Sequence, residues 1–141
     1  MIVEAAPLSS TVSPPRSFLA FDYGTRRVGV ASGNTLLATA RPLRTIALEG
    51  DARFDAIAAL LAEWRPDALV VGVPFHPDGA EHDNTHRARR FARQLQGRFR
   101  LPVHAVDERY TTVDALASGA RDADAAAAAL ILEQYLRESH S

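Results

Sequence analysis

The chain has 141 residues, of which 47% are hydrophobic and 23% are charged, a balance typical of one globular domain. It has no cysteine, which excludes disulfide bonds and thiolate metal sites. The formal net charge is −1, so nucleic acid could be bound only through a local basic patch, and all 16 basic residues are arginine, which pairs bidentately with phosphate.

The start of the chain differs in composition from the rest. Residues 1–16 contain proline, serine and threonine and little apolar surface, and we expect a flexible extension ahead of a single domain over residues 17–141. The sequence shows neither a secretory signal nor a stretch long and apolar enough to cross a bilayer. We therefore expect a cytoplasmic protein that does not bind membranes and that is a monomer or a homodimer.

Three extended segments follow. The stretches "FLAFDYG" and "RVGVASG" have the short spacing of a hairpin. The third, "LATARPLRTIAL", contains Pro42, which predicts an edge strand or a break.

Helices and strands alternate after that. Phe54, Ile57 and Leu61 recur at helical spacing, and Asp51 is the predicted N-cap of that helix. The segment "DALVVGVP" predicts a strand buried on both faces. A helix over 85–99, a strand in "LPVHAVDERYTT" and a helix over 123–137 complete the order. Since the later strands need helical crossovers, the sequence predicts an α/β domain with one mixed sheet and helices on both faces.

Acidic residues stand where buried apolar patterns end. Asp22 closes the first strand, Asp107 and Glu108 close the last one, and Asp124 opens the last helix on its core-facing stripe. Each has a structural explanation: a turn residue, an ion pair with Arg109, and a charge at a helix N-terminus. Together, at one edge of the sheet, they would suit Mg²⁺ or Mn²⁺ and the hydrolysis of phosphodiester bonds.

Residues next to Asp22 fit the same chemistry. Gly24 and Thr25 could approach a phosphate closely, and Arg26 and Arg27 could bind it. Six more arginines between residues 87 and 100 have the simpler interpretation of a solvated helix face.

The motifs "FDYGTRRVGVA", "RPLRTI", "VVGVPFHPDGAE", "RARRFARQL", "VDERYTT" and "DADAAAAALILEQYL" together resemble the YqgF/RuvX family, whose members are called Holliday junction resolvases or pre-16S rRNA nucleases. The resemblance implies a ribonuclease-H-like fold with sheet order 3-2-1-4-5. It implies metal-binding catalytic acids at Asp22, Glu108 and Asp124, with Asp107 adjacent to the second. It also implies nucleic-acid contacts at Gly24, Thr25, Arg26, Arg27 and Arg109.

Two departures from the family pattern affect the expected activity. Only "ASGAR" stands where relatives often carry a longer basic loop, and "VVGVP" lacks the acid found there in RuvC resolvases. The predicted function is processing of the pre-16S rRNA 5′ end. The alternatives are cleavage of branched DNA at four-way junctions, a noncatalytic RNA-binding role in ribosome assembly, and ATP binding of the actin, Hsp70 or sugar-kinase kind.

Overall fold

The computed structural model describes residues 14–74, 83–107 and 122–139. These residues form five strands, β1 (Ser17–Asp22), β2 (Val28–Asn34), β3 (Ala40–Ile46), β4 (Ala68–Val73) and β5 (Val103–Asp107). They also form three helices, which we number α1 (Gly50–Trp64), α2 (Asp83–Phe99) and α3 (Ala123–Ser139). The sheet order is β3-β2-β1-β4-β5, which confirms the predicted order.

The strand directions follow from the connections. β1, β2 and β3 pair antiparallel through short turns, whereas β4 pairs parallel with β1 and with β5. Parallel neighbours need a crossover, and helices occupy the crossovers on either side of β4. All six residues of β4 are buried, as expected for a central strand covered on both faces.

Alternating side chains divide the core between the two faces of the sheet. Leu19 and Phe21 pack with α1 and α2 on one face, in a core that also contains Ile57, Phe91 and Leu95. Phe18 and Ala20 pack with α3 on the other face, against Ile131, Leu132 and Leu136. Helices therefore cover both faces, as predicted.

The strand β3 lies at one edge of the sheet, which is the position that Pro42 predicts. Its pairing with β2 shifts register between Val30 and Ala31, so β3 carries a bulge beside that proline. Arg41 and Arg44 on this strand are exposed.

One predicted helix cap is wrong. The N-cap of α1 is Glu49, whose backbone is extended, and Asp51 lies inside the first turn. Gly50, the first residue of the helix, has a φ of 60°, which other residues rarely adopt. The Asp51 carboxylate lies instead 3.6 Å from the Arg98 guanidinium of α2. No helix in the described ranges is long and apolar enough to span a membrane.

Candidate active site

Asp22 is the last residue of β1. It lies opposite Gly29 of β2 and beside Gly72 of β4, so both neighbours lack a side chain at this level of the sheet. Because side chains alternate along a strand, Asp22 projects to the same face as Phe18 and Ala20, which is the face that α3 covers. Its side chain is half-buried.

Asp124 reaches the same place from α3. A Cβ atom on Gly29 would lie 1.8 Å from the Asp124 carbonyl oxygen, so the first turn of α3 rests directly on this glycine. Directly opposed residues of an antiparallel pair project to the same face, so Gly29 and Asp22 face α3 together. Asp22 and Asp124 therefore share one edge and one face of the sheet.

The neighbouring Asp122 has a different role. Its carboxylate accepts hydrogen bonds from the backbone N–H of Ala125, at 3.2 Å, and from the hydroxyl of Thr45. This is the N-cap arrangement, and it ties the start of α3 to β3. Of the two aspartates, Asp122 is thus the one that caps the helix.

The loop between β1 and β2 lies against Asp124. The Arg27 Nε lies 3.2 Å from an Asp124 carboxylate oxygen, with the two side chains 65% and 31% exposed. An open pocket of about 470 Å³ is lined by Gly24, Thr25, Arg26, Arg27 and Asp124. The structure thus brings four of the predicted nucleic-acid contacts together with one of the predicted acids.

Gly24 allows this loop to close. A Cβ atom at Gly24 would lie 2.5 Å from the Arg27 carbonyl oxygen, a contact that no other residue could make without displacing the backbone. The turn itself therefore requires glycine here, in addition to the close approach of a ligand that the sequence suggested.

Arg53 of α1 is a buried cation that the sequence analysis missed. Its Nε donates to the Leu48 carbonyl at 2.7 Å, and a terminal nitrogen donates to the Thr25 carbonyl at 3.0 Å. The guanidinium also lies 5.7 Å from the ring centre of Tyr23. Since Arg53 is 5% exposed, these contacts fix the loop between β1 and β2 to the body of the domain. An arginine in helical register with Ile57 and Leu60 was the available signal.

Gly29 was missed as well. A glycine within a valine-rich strand weakens the strand unless another element approaches it closely, and here that element is α3.

Asp107, one of the two candidate acids at the end of β5, lies on the other face of the sheet. Val106 belongs to the core under α3, whereas Val103 packs on the opposite core, so alternation turns Asp107 away from Asp22. Glu108 and Arg109 lie outside the described residues. Within the described ranges no three acidic or histidine side chains come close enough to hold a metal ion.

Comparison with known proteins identifies the family. The sequence model described as "RuvX: Holliday junction resolvase" matches residues 16–138. The chain belongs to the RuvX family. Among curated proteins, a relative from Albidiferax ferrireducens is 66% identical over 139 residues, covering 96% of this chain and 89% of the relative. One from Burkholderia pseudomallei is 53% identical over 136 residues, covering 92% and 93%. Both are named "Putative pre-16S rRNA nuclease".

Solved structures share the fold of this RuvX-family chain at low sequence identity. Thermus thermophilus RuvC, solved with a Holliday junction substrate, has a TM-score of 0.58 at 18% identity and covers 89% of this chain and 96% of its own. Archaeoglobus fulgidus Pelota has a TM-score of 0.53 at 11% identity, covering 96% of this chain and 38% of its own. The likeness to RuvC agrees with the predicted ribonuclease-H-like fold.

Proposed function

We propose that this RuvX-family chain is a divalent-metal-dependent nuclease that hydrolyses phosphodiester bonds, and that it acts in 5′-end processing of pre-16S rRNA. The observation that carries the proposal is the convergence of Asp22 and Asp124 on one face of the sheet, beside a loop with two arginines. Family membership sets aside the alternative of an actin-like ATP-binding protein.

The acids fit a hard cation. Asp22 and Asp124 offer carboxylate oxygens, and the residues that line the pocket beside Asp124 include no histidine. We assign the third position to Glu108, because Asp107 projects to the opposite face of the sheet. These residues would hold Mg²⁺ or Mn²⁺, which when bound would activate a water and stabilise the leaving oxygen.

The arginines beside the acids would bind the substrate. Arg26 is exposed and lines the pocket, so its guanidinium is available to a phosphate. Arg27 now neutralises Asp124, and we expect it to exchange this carboxylate for a phosphate when substrate binds. Arg53 does not reach the pocket. It holds the Thr25 carbonyl and so sets the position of the loop.

Two alternatives differ in substrate or chemistry. Cleavage of branched DNA is supported by the description of the family, and processing of RNA by the names of its curated relatives. Phosphate contacts serve both substrates, so the residues of the pocket do not choose between them. A noncatalytic RNA-binding role would require that cleavage is absent and that RNA binding does not depend on the acids.

Purified protein tests these alternatives directly. We would incubate it with a pre-16S 5′ leader RNA and with a synthetic four-way DNA junction, each with Mg²⁺, with Mn²⁺ and with EDTA. We expect metal-dependent cleavage of the RNA. Cleavage of the junction alone would favour the resolvase alternative, and tight RNA binding without cleavage in either metal would favour the noncatalytic one.

A further inference from the structure

The helix α2 differs in charge from the rest of the molecule. It carries five arginines and one aspartate, whereas α1 and α3 each carry three acidic residues and one arginine. Since the whole chain has a net charge of −1, positive charge is concentrated on this helix and the remainder is acidic. Such an asymmetry is typical of a surface that meets a polyanion.

The arginines of α2 divide into two groups. Arg98, near the end of the helix, is used within the fold, because its guanidinium lies 3.6 Å from Asp51 and 4.0 Å from the ring centre of Phe54. Arg90 and Arg93 are exposed and make no hydrogen bond or ion pair with any described residue. Arg87 is exposed and contacts only the amide of Asn84 within the described ranges, at 3.3 Å. Arg87, Arg90 and Arg93 therefore do not stabilise the fold through ion pairs with described residues.

Helical spacing places these cations on one surface. Ala88 and Phe91 face the sheet, so Arg90 and Arg93 project outward. Arg87 lies three helical turns from Arg98 on the same flank, the one that faces α1. The group from Arg87 to Arg93 spans about 9 Å along the axis, the length of two to three phosphates along a strand.

This surface starts at the same edge of the sheet as the candidate active site, on the other face. The Thr85 hydroxyl in the first turn of α2 donates to the carbonyl of Pro74, which directly follows β4. Tyr23, the residue after Asp22, packs its ring 5.1 Å from that of Phe91. The exposed arginines thus begin at the edge of the sheet where Asp22 and Asp124 lie, and a nucleic-acid strand that contacts both would pass around this edge from one face to the other.

We propose that Arg87, Arg90 and Arg93 form a second contact surface, the α2 arginine face, which binds the phosphate backbone of a nucleic-acid strand whose cleavage point lies at Asp22 and Asp124. The proposal rests on the proposed function for the position of the cleavage point. The occupant follows from charge complementarity, because exposed guanidinium groups that form no ion pair with described residues match a chain of phosphates. Contacts of this kind determine affinity and register and leave the chemical step unchanged.

The test compares two triple variants with equal loss of charge. Arg87→Ala, Arg90→Ala and Arg93→Ala remove the α2 arginine face. The control, Arg41→Ala, Arg65→Ala and Arg137→Ala, removes three exposed arginines at the opposite end of the sheet. Binding of a fluorescent single-stranded RNA of the 5′ leader is measured across a salt series with Ca²⁺ in place of Mg²⁺. Far-UV circular dichroism verifies that both variants are folded.

We expect the α2 variant to lower the slope of log affinity against log salt by about 2, and to weaken binding by about tenfold to a hundredfold at 0.1 M salt. Its KM should rise with kcat retained. An unchanged slope, or an equal change in the control, would overturn the proposal. Binding is measured here without cleavage. If the wild-type protein binds RNA through this face and cleaves no substrate, the proposed function is refuted, and the α2 arginine face remains a nucleic-acid-binding surface.

Discussion

Gly29 and Asp124 touch through their backbones, and a Cβ atom on the glycine would lie 1.8 Å from the aspartate carbonyl oxygen. The two carboxylates of the candidate site, Asp22 on β1 and Asp124 on α3, are far apart in the chain. Because Gly29 pairs with Asp22 in the sheet, its contact with Asp124 fixes the distance between β1 and α3. A missing side chain on β2 thus sets the position of an acid on α3.

Substituting Gly29→Ala should therefore displace α3. The added methyl group meets backbone atoms, which cannot rotate away, so we expect a loss of about 3 kcal/mol or more in the free energy of unfolding, measured by urea denaturation. Gly97→Ala is the control, since nothing lies within 4 Å of a Cβ there. That exposed helical position should gain about 0.5–1 kcal/mol. A Gly29→Ala protein as stable as wild type would contradict the close contact.

Asp22→Asn should abolish cleavage and leave the protein folded, because the amide keeps the shape of the side chain and loses the charge that would hold a cation. Asp107→Asn is the matched control at the neighbouring edge of the sheet. Because Asp107 faces the other side, we expect it to retain most of the activity. Cleavage rates measured with Mg²⁺ and with Mn²⁺ check both variants, and wild-type rates from a folded Asp22→Asn protein would refute the metal site.

Arg53→Met should destabilise the domain by about 1–3 kcal/mol. The methionine fills the space and leaves the carbonyls of Leu48 and Thr25 without their buried donors. Arg44→Met, at an exposed position of β3, should change stability by less than about 0.5 kcal/mol. Urea denaturation of both variants measures the difference. Equal stabilities would show that Arg53 does not anchor the loop.

Changing Arg26 and Arg27 to alanine should weaken nucleic-acid binding and spare stability. The ion pair between Arg27 and Asp124 is exposed and contributes about 0–1 kcal/mol to folding. Each lost phosphate contact should lower the slope of log affinity against log salt by about 0.7 on a single strand. Binding isotherms in Ca²⁺ measure this slope, and an unchanged slope would place both arginines off the path of the substrate.

The stability of the domain should fall as the pH drops below about 6.5, the ordinary pKa of histidine. Burial, and then the charge of Arg16, lower the pKa of His104, whose Nε2 is buried without a hydrogen-bond partner among the described residues. The folded state thus binds fewer protons than the unfolded state between that lowered pKa and pH 6.5, so unfolding becomes easier toward acid. Thermal midpoints from pH 7.5 to 5.5 should depend less on pH in His104→Gln than in wild type. The same substitution at the exposed His86 serves as control, and equal changes in both would contradict the assignment.

The fold was predictable from the sequence because periodicity encodes it directly. β4 is a continuous apolar run, as expected for a strand buried on both faces, and α2 repeats its apolar positions every turn. The lengths of the connections set the directions of the strands. The cap of α1 was predicted wrongly because a helix start depends on backbone angles. The observed cap, Glu49, lies two residues before the predicted one, and side-chain preferences do not reveal the positive φ of Gly50 between them.

The candidate site was predictable where charge interrupts an apolar pattern, as at Asp22 and Asp124. Gly29 and Arg53 were not found, because each acts through a backbone carbonyl on an element remote in the chain, and a carbonyl has no signature in a sequence. The roles of Glu108 and Arg109, like that of the extension over residues 1–16, stay predictions.

The proline and the register shift on β3 have a consequence for how copies of this protein meet. An outer strand with a regular row of backbone donors and acceptors is a template on which a second chain can align. Pro42 offers no N–H, the shift beside it interrupts the row, and alignment of two such strands would bring Arg41 and Arg44 toward their own counterparts. Continuous sheets across molecules are thereby disfavoured at this edge.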